Sequence, residues 1–138
     1  MNAAQAWETG WRRCESAAAN GHGNARSLAL LQSIVSHGGE TQGKRFLSAA
    51  GVEKLFEVQA DGVDLVLGVP SRFGMGYGLN SEYTPISPNA RACFWGGWGG
   101  SMVINDADRK TTLAYMMNRM APGIIGGPNI AKIGRAHV

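Results

Sequence analysis

The 138-residue chain is poor in charge, with 17% Asp, Glu, Lys and Arg against 44% hydrophobic residues. That balance excludes a disordered segment and fits one globular domain. The net charge is +3, and Arg12-Arg13, Lys44-Arg45 and Arg109-Lys110 are scattered pairs rather than a basic stripe. Nucleic acid is therefore not a predicted partner. No run of about 18 apolar residues exists, so no span crosses a membrane. The two cysteines, Cys14 and Cys93, are far apart, and His22, His37 and His137 share no ligand spacing with them. No metal site is predicted. The N-terminus lacks a basic segment followed by an apolar one and does not read as a signal peptide. Also missing are Gly-x-Ser-x-Gly, the phosphate-binding Gly-x-x-x-x-Gly-Lys-Ser/Thr and any Ser-x-x-Lys. These absences remove the α/β-hydrolase elbow, the nucleotide loop and one serine-nucleophile motif from this chain.

Glycine is what the chain has in excess, at 20 residues, about twice the usual share of roughly 7%. Five of the glycines and prolines punctuate the tail at Pro122-Gly123 and Gly126-Gly127-Pro128, but the densest run is Trp95-Gly96-Gly97-Trp98-Gly99-Gly100. Each glycine costs about 1 kcal/mol inside a helix. The run therefore reads either as a strand whose bare backbone borders a pocket, or as a turn with two core tryptophans. Spacing leaves both open.

Helical periodicity is clear in two places. Asn24 suits an N-cap for a helix over 25–36, with Leu28, Leu31 and Val35 on one face and Gly38-Gly39 as its stop. Ser48 suits an N-cap for a shorter helix over 49–56 that buries Val52, Leu55 and Phe56. Gln42-Gly43-Lys44 is a turn. Asp61–Val69 reads as a weak strand or loop around Leu65-Val66-Leu67. Arg72–Leu79 alternates glycine with Phe73, Met75, Tyr77 and Leu79, and period two predicts one strand. Ser81–Ala90 is a loop. Ala92–Gly97, Gly100–Asn105 and Thr111–Asn118 form an antiparallel meander across residues 92–118. The last of them has few polar positions and is expected to be central, covered on both faces. Cys93 is expected to be a buried free thiol. Asp61, Asp64, Asp106 and Asp108 fall in turns and read as solvated. The fold class is α+β.

Several segments together resemble a known family. They are Trp11-Arg12-Arg13, Ala18-Ala19-Asn20-Gly21-His22-Gly23-Asn24, Arg72-Phe73-Gly74-Met75-Gly76-Tyr77-Gly78 and Pro88-Asn89-Ala90-Arg91-Ala92. Trp95–Ser101 and Tyr115–Met120 complete the set. In this order the chain resembles the C-terminal part of the serine β-lactamase-related family, which includes class C β-lactamases, D-aminopeptidases and family VIII carboxylesterases. The resemblance implies the β-lactamase/transpeptidase-like fold, serine acyl-enzyme chemistry, a small-molecule ester or amide substrate and no cofactor. It places Trp95-Gly96-Gly97 at the family's third motif, elsewhere Lys-Thr-Gly or His-x-Gly. It makes the Trp98 backbone N–H an oxyanion donor and Trp95, Gly96, Gly97 and Trp98 the substrate-binding residues.

The family's serine, lysine and tyrosine lie upstream of the segments present, so the chain is expected to be a fragment that is inactive alone. Such a fragment is also expected to expose apolar sheet faces. Trp95, lacking the charge of a lysine, favours neutral esters, so a carboxylesterase ranks above a β-lactamase or D-aminopeptidase. A non-catalytic binding or structural member is the other reading. Residues 133–138 match the translation of a common sequencing adapter and are expected to be read-through, leaving a partial domain over residues 1–132. The compartment (bacterial cytoplasm or periplasm) and the oligomeric state stay open.

Overall fold

The computed structural model describes residues 3–121. The readings made above for residues 122–138 lie outside the described residues. A 3-10 turn, Ala3–Trp7, and a short helix α1, Thr9–Arg13, open the chain. Helix α2 is Ala25–Ser36, strands β1 and β2 are Glu40–Thr41 and Lys44–Arg45, and helix α3 is Ala49–Phe56. Six further strands follow: β3 Ala60–Val63, β4 Pro70–Phe73, β5 Gly78–Leu79, β6 Ala92–Gly96, β7 Met102–Asp106 and β8 Thr111–Tyr115. They form one antiparallel sheet in sequence order, β3-β4-β5-β6-β7-β8.

Both long helices begin where capping chemistry puts them. The Asn24 side chain accepts from Ser27 N at 2.9 Å, and the Ser27 hydroxyl lies 3.2 Å from Asn24 N, a reciprocal capping box. Ser48 Oγ accepts from Gly51 N at 3.0 Å. Each cap satisfies a backbone donor that the helix itself leaves open.

The middle of the sheet, β5 to β7, buries both of its faces, while β3 is exposed. Val35, Leu79 and Cys93 form one core cluster, with Leu55, Phe56 and Tyr77 packed against it from α3 and the β4–β5 turn. Ile86, Ala92, Met102 and Ile104 form the other, with Phe94 and Leu113. Ile86 belongs to the loop before β6, which Asn80 holds down. Its Nδ2 donates to Ser87 O at 2.8 Å and Asn89 O at 3.0 Å, and its Oδ1 accepts from Ile86 N at 2.9 Å.

Two expectations are corrected. The stretch Arg72–Leu79 is a hairpin, not one strand. Gly76 takes φ +80° at its bend, and Gly74 N donates to Tyr77 O at 2.9 Å to close it. A left-handed φ is nearly free for glycine, and glycine at alternate positions looks the same in a strand and in a hairpin. Of the two readings left open for 61–69, the strand holds only at its start, in β3, and the loop holds around Leu65 and Val66, which sit at 99% and 93% exposure on the turn between β3 and β4. Asp64 Oδ1 shapes that turn by accepting from Val66 N and Leu67 N at 2.9 and 2.7 Å. Finally, β8 is the edge of the described sheet and β6 and β7 are central. The apolar letters of β8 reflect the helix packed over it, since α2 contacts both β7 and β8.

Candidate active site

Strand β6 has two unlike flanks. Toward β7 it is paired over its whole length, from Ala92↔Asp106 to Gly96↔Met102. Pairing continues one step further, because Gly97 N donates to Ser101 O at 2.9 Å. Gly100 N then donates to Gly97 O at 3.2 Å and closes a tight turn, with Gly99 at φ +86°. Toward β5 the pairing stops early. Only Cys93 and Phe94 face Leu79 and Gly78, with Asn80 N reaching Ala92 O at 3.0 Å. Beyond Gly78 the chain has already turned away through Gly76.

Amides of an extended strand alternate between its flanks. Since the Gly97 N–H faces β7, the neighbouring amides of Gly96 and Trp98 fall to the other side. Among the described residues neither has a hydrogen-bond acceptor. The Trp95 side chain, 40% exposed, stands at this notch with its ring centroid 5.7 Å from that of Phe73.

Two open grooves meet here. One, of about 530 Å³, is lined by Leu28, Gln32, Tyr77, Trp95, Gly97 and Met116 among others. The second, of about 520 Å³, is lined by Trp11, Ala18, His22, Gly97, Trp98 and Met120 among others. Ser101 and Gly96 also line the first, and Ser101 the second. All four residues singled out from the sequence therefore border this junction. Among the described residues no lysine or arginine lines either groove. A smaller apolar groove of about 260 Å³ runs from Trp95 along Phe73, Phe94, Leu67 and Val69.

Four lining residues had not been singled out as site residues: Gln32, Tyr77, Ser101 and His22. They lie far from the tryptophan run in sequence, apart from Ser101. One signal was available for Gln32, which follows Leu28 by four positions and so shares its inward helix face.

Gln32 belongs to a polar ladder between α2 and the sheet. Tyr77 Oη donates to Gln32 Oε1 at 2.7 Å, and Asn105 Nδ2 donates to the same oxygen at 2.9 Å. Thr112 Oγ1 donates to Asn105 Oδ1 at 2.9 Å, and Ser36 Oγ lies 2.8 Å from Thr112 Oγ1. Asn105 is fully buried, so each of these bonds offsets a desolvation cost. Burial also raises the Tyr77 phenol above 10.0, against the lowering effect of its bond to Gln32. The buried Cys93 thiol is pushed from 9.0 up to about 12, chiefly by burial. Neither group is poised to ionise near neutral pH.

The four aspartates are spent structurally. Asp61 pairs with Arg72 at 2.8 Å, and Asp108 with Arg91 at 3.6 Å. Asp106 is not simply solvated: it accepts from Ser87 Oγ at 2.6 Å and Asn89 Nδ2 at 2.7 Å. Partial burial pushes its carboxyl up, but these bonds and those from the Arg109 and Asp108 amides outweigh it and hold it below 3.8. Among the described residues no group of His, Cys, Asp or Glu could hold a metal ion, and no helix is long and apolar enough to cross a membrane.

An antiparallel sheet with capped helices, carrying a glycine strand beside an open notch, is an architecture this chain shares with solved β-lactamase-related and penicillin-binding-type proteins. The family profile described as Beta-lactamase matches residues 1–134, and this chain belongs to that family of serine hydrolases. It is 30% identical over 122 residues to Esterase/beta-lactamase LipL of Mycobacterium tuberculosis, covering 88% of this chain and 28% of that protein. It superimposes on a solved family VIII carboxylesterase with a TM-score of 0.88 and 32% identity, over 99% of this chain and 37% of the other. A solved penicillin-binding protein homolog from Caulobacter crescentus gives 0.83 and 34%, over 93% and 35%. The chain thus spans little more than a third of each of these two solved structures and 28% of the mycobacterial relative.

Proposed function

We propose that this chain is the C-terminal portion of a carboxylesterase that works through an acyl-enzyme. Its serine, lysine and tyrosine are contributed by residues upstream of it. As the serine hydroxyl gives its proton to the lysine–tyrosine pair, its oxygen bonds to the ester carbonyl carbon, and the carbonyl π electrons move to oxygen. The Trp98 N–H donates to that oxyanion. When the carbonyl reforms, the same pair returns the proton to the departing alkoxide, and water then releases the acid in the same manner. Preorganised donors are worth most where charge develops, and loss of one costs roughly 3–4 kcal/mol in a measured case. Gly96 and Gly97 let substrate lie along the strand flank, and Trp95 covers it.

The observation that carries the reading is the flank itself: β5 ends opposite Phe94, and the Gly96 and Trp98 amides beyond it have no acceptor among the described residues. The absence of lysine and arginine among the described residues of both grooves favours a neutral ester over a carboxylate-bearing β-lactam. Trp95 offers one N–H donor and no charge. Residues 1–132 form the natural partial domain in this reading, and residues 133–138 are adapter read-through.

The test is a comparison on the full-length protein, a short-chain chromogenic ester against a chromogenic cephalosporin. Faster turnover of the ester is expected. Faster cephalosporin turnover makes the protein a β-lactamase, and turnover of neither makes it a binding or structural member.

A further inference from the structure

We infer that Gln32 presents its side-chain NH2 to a second carbonyl of the substrate, as a positioning donor in the groove beside Trp95–Gly97. The inference rests on the acyl-transfer reading of that groove and names the substrate feature it selects.

The carboxamide oxygen has two acceptor sites. Both are filled, by Tyr77 Oη at 2.7 Å and by Asn105 Nδ2 at 2.9 Å. A carboxamide is planar, so fixing its oxygen fixes its nitrogen. Asn105 cannot easily yield, because Thr112 holds its own oxygen at 2.9 Å from the neighbouring strand. The Gln32 nitrogen has no acceptor among the described residues. Nor is it one of the enclosed, unpartnered polar atoms, which are Asn20 Oδ1 and Arg91 Nε. It therefore opens onto the groove that Gln32 lines together with Trp95, Gly96 and Gly97.

The rest of that lining is largely apolar, with Leu28, Val103 and Met116 around it. The Tyr77 hydroxyl is occupied by Gln32 itself. A neutral donor locked in an apolar wall recognises a neutral acceptor oxygen. The reacting carbonyl is assigned to the Trp98 amide, so the Gln32 amide serves another one. The favoured substrates are neutral esters with a ketone, amide or ester oxygen beyond the scissile carbonyl.

The experiment uses the full-length protein and chromogenic hexanoyl esters with and without a ketone along the acyl chain. Wild type is expected to favour one ketone-bearing ester by about tenfold in kcat/KM. Gln32→Glu keeps an oxygen for Tyr77 and Asn105 but, when ionised, donates nothing. It should hold its melting temperature and lose the preference at neutral pH. The preference should return in part as pH falls and the introduced carboxyl gains a proton to donate. Gln32→Met, which strands Tyr77 and Asn105, should lose the preference and also melt lower. A Gln32→Glu protein that keeps the neutral-pH preference overturns the inference. So does one that melts as low as Gln32→Met and slows on both esters alike at every pH. Wild type without any ketone preference overturns it as well. If Gly97→Val abolishes turnover while Gln32→Glu behaves as wild type, only this inference falls; if Gly97→Val turns over normally, the reading of the groove falls with it.

Discussion

Two stretches of this chain interleave glycines with aromatic residues, Arg72–Leu79 and Phe94–Ser101, and the fold uses them in opposite ways. In the first, two of the three glycines are filled from outside. A Cβ on Gly74 would run into the carbonyl oxygen of Leu55, and one on Gly78 would stand 2.9 Å from Phe94 Cζ. Helix α3 and strand β6 need that space. In the second, a Cβ on Gly97 would meet only the Ser101 hydroxyl and the groove. A glycine bares backbone in both cases; what covers the bared backbone decides whether it serves packing or a ligand.

Substitutions can break or sharpen this contrast. The largest effect is expected from Gly97→Val in the full-length protein. Ester kcat/KM should fall by about 10²–10³-fold, while circular dichroism and melting stay close to wild type, because a rotating Ser101 can make room. Turnover that survives this change would make both stretches structural. Gly74→Ala should act the other way. Overpacking against a backbone oxygen is expected to cost about 3 kcal/mol in urea unfolding, with the folded protein still active. A Gly74→Ala protein as stable as wild type would remove the contrast from its other side.

Cys93 marks the filled end of β6, and it titrates accordingly. Its folded pKa of about 12 lies above the ordinary 9.0. The stabilisation that this reports is present below pH 9 and is lost as pH rises toward 12. Cys93→Ala should flatten the alkaline limb of a stability–pH curve over that window. The native thiol should also react far more slowly with a thiol reagent than exposed Cys14. The smallest effect belongs to Ser101→Ala. Stability should change by less than about 0.5 kcal/mol, and Gly97→Ala should become easier to accommodate in a melting experiment when the two changes are combined.

The helices were legible because their signals are local. Asn24 and Ser48 cap where a side-chain oxygen can reach the third amide on, and the stops follow. The β6–β8 meander was legible from alternation and short turns. The β4–β5 hairpin was not, because Gly74, Gly76 and Gly78 offer a bend at three places and only packing selects Gly76. The edge position of β8 was also hidden, since sequence reports how apolar a strand is and not how many neighbours it pairs with. At the candidate site, Trp95–Trp98 stood out by composition. Gln32, Tyr77 and His22 did not, as each reaches the grooves only through the tertiary fold.

The two-residue length of β5 has a consequence for how such a cleft could be resized. Strand pairing behaves like a zipper, and the slider here is parked at Phe94 by the bend at Gly76. Shifting that bend by two positions would carry the teeth past Trp95 and sew the gap shut, without touching a residue on the opposite side. The aperture of this pocket is thus written in the placement of a distant turn, a dimension that evolution or a protein engineer could adjust separately from the residues that line it.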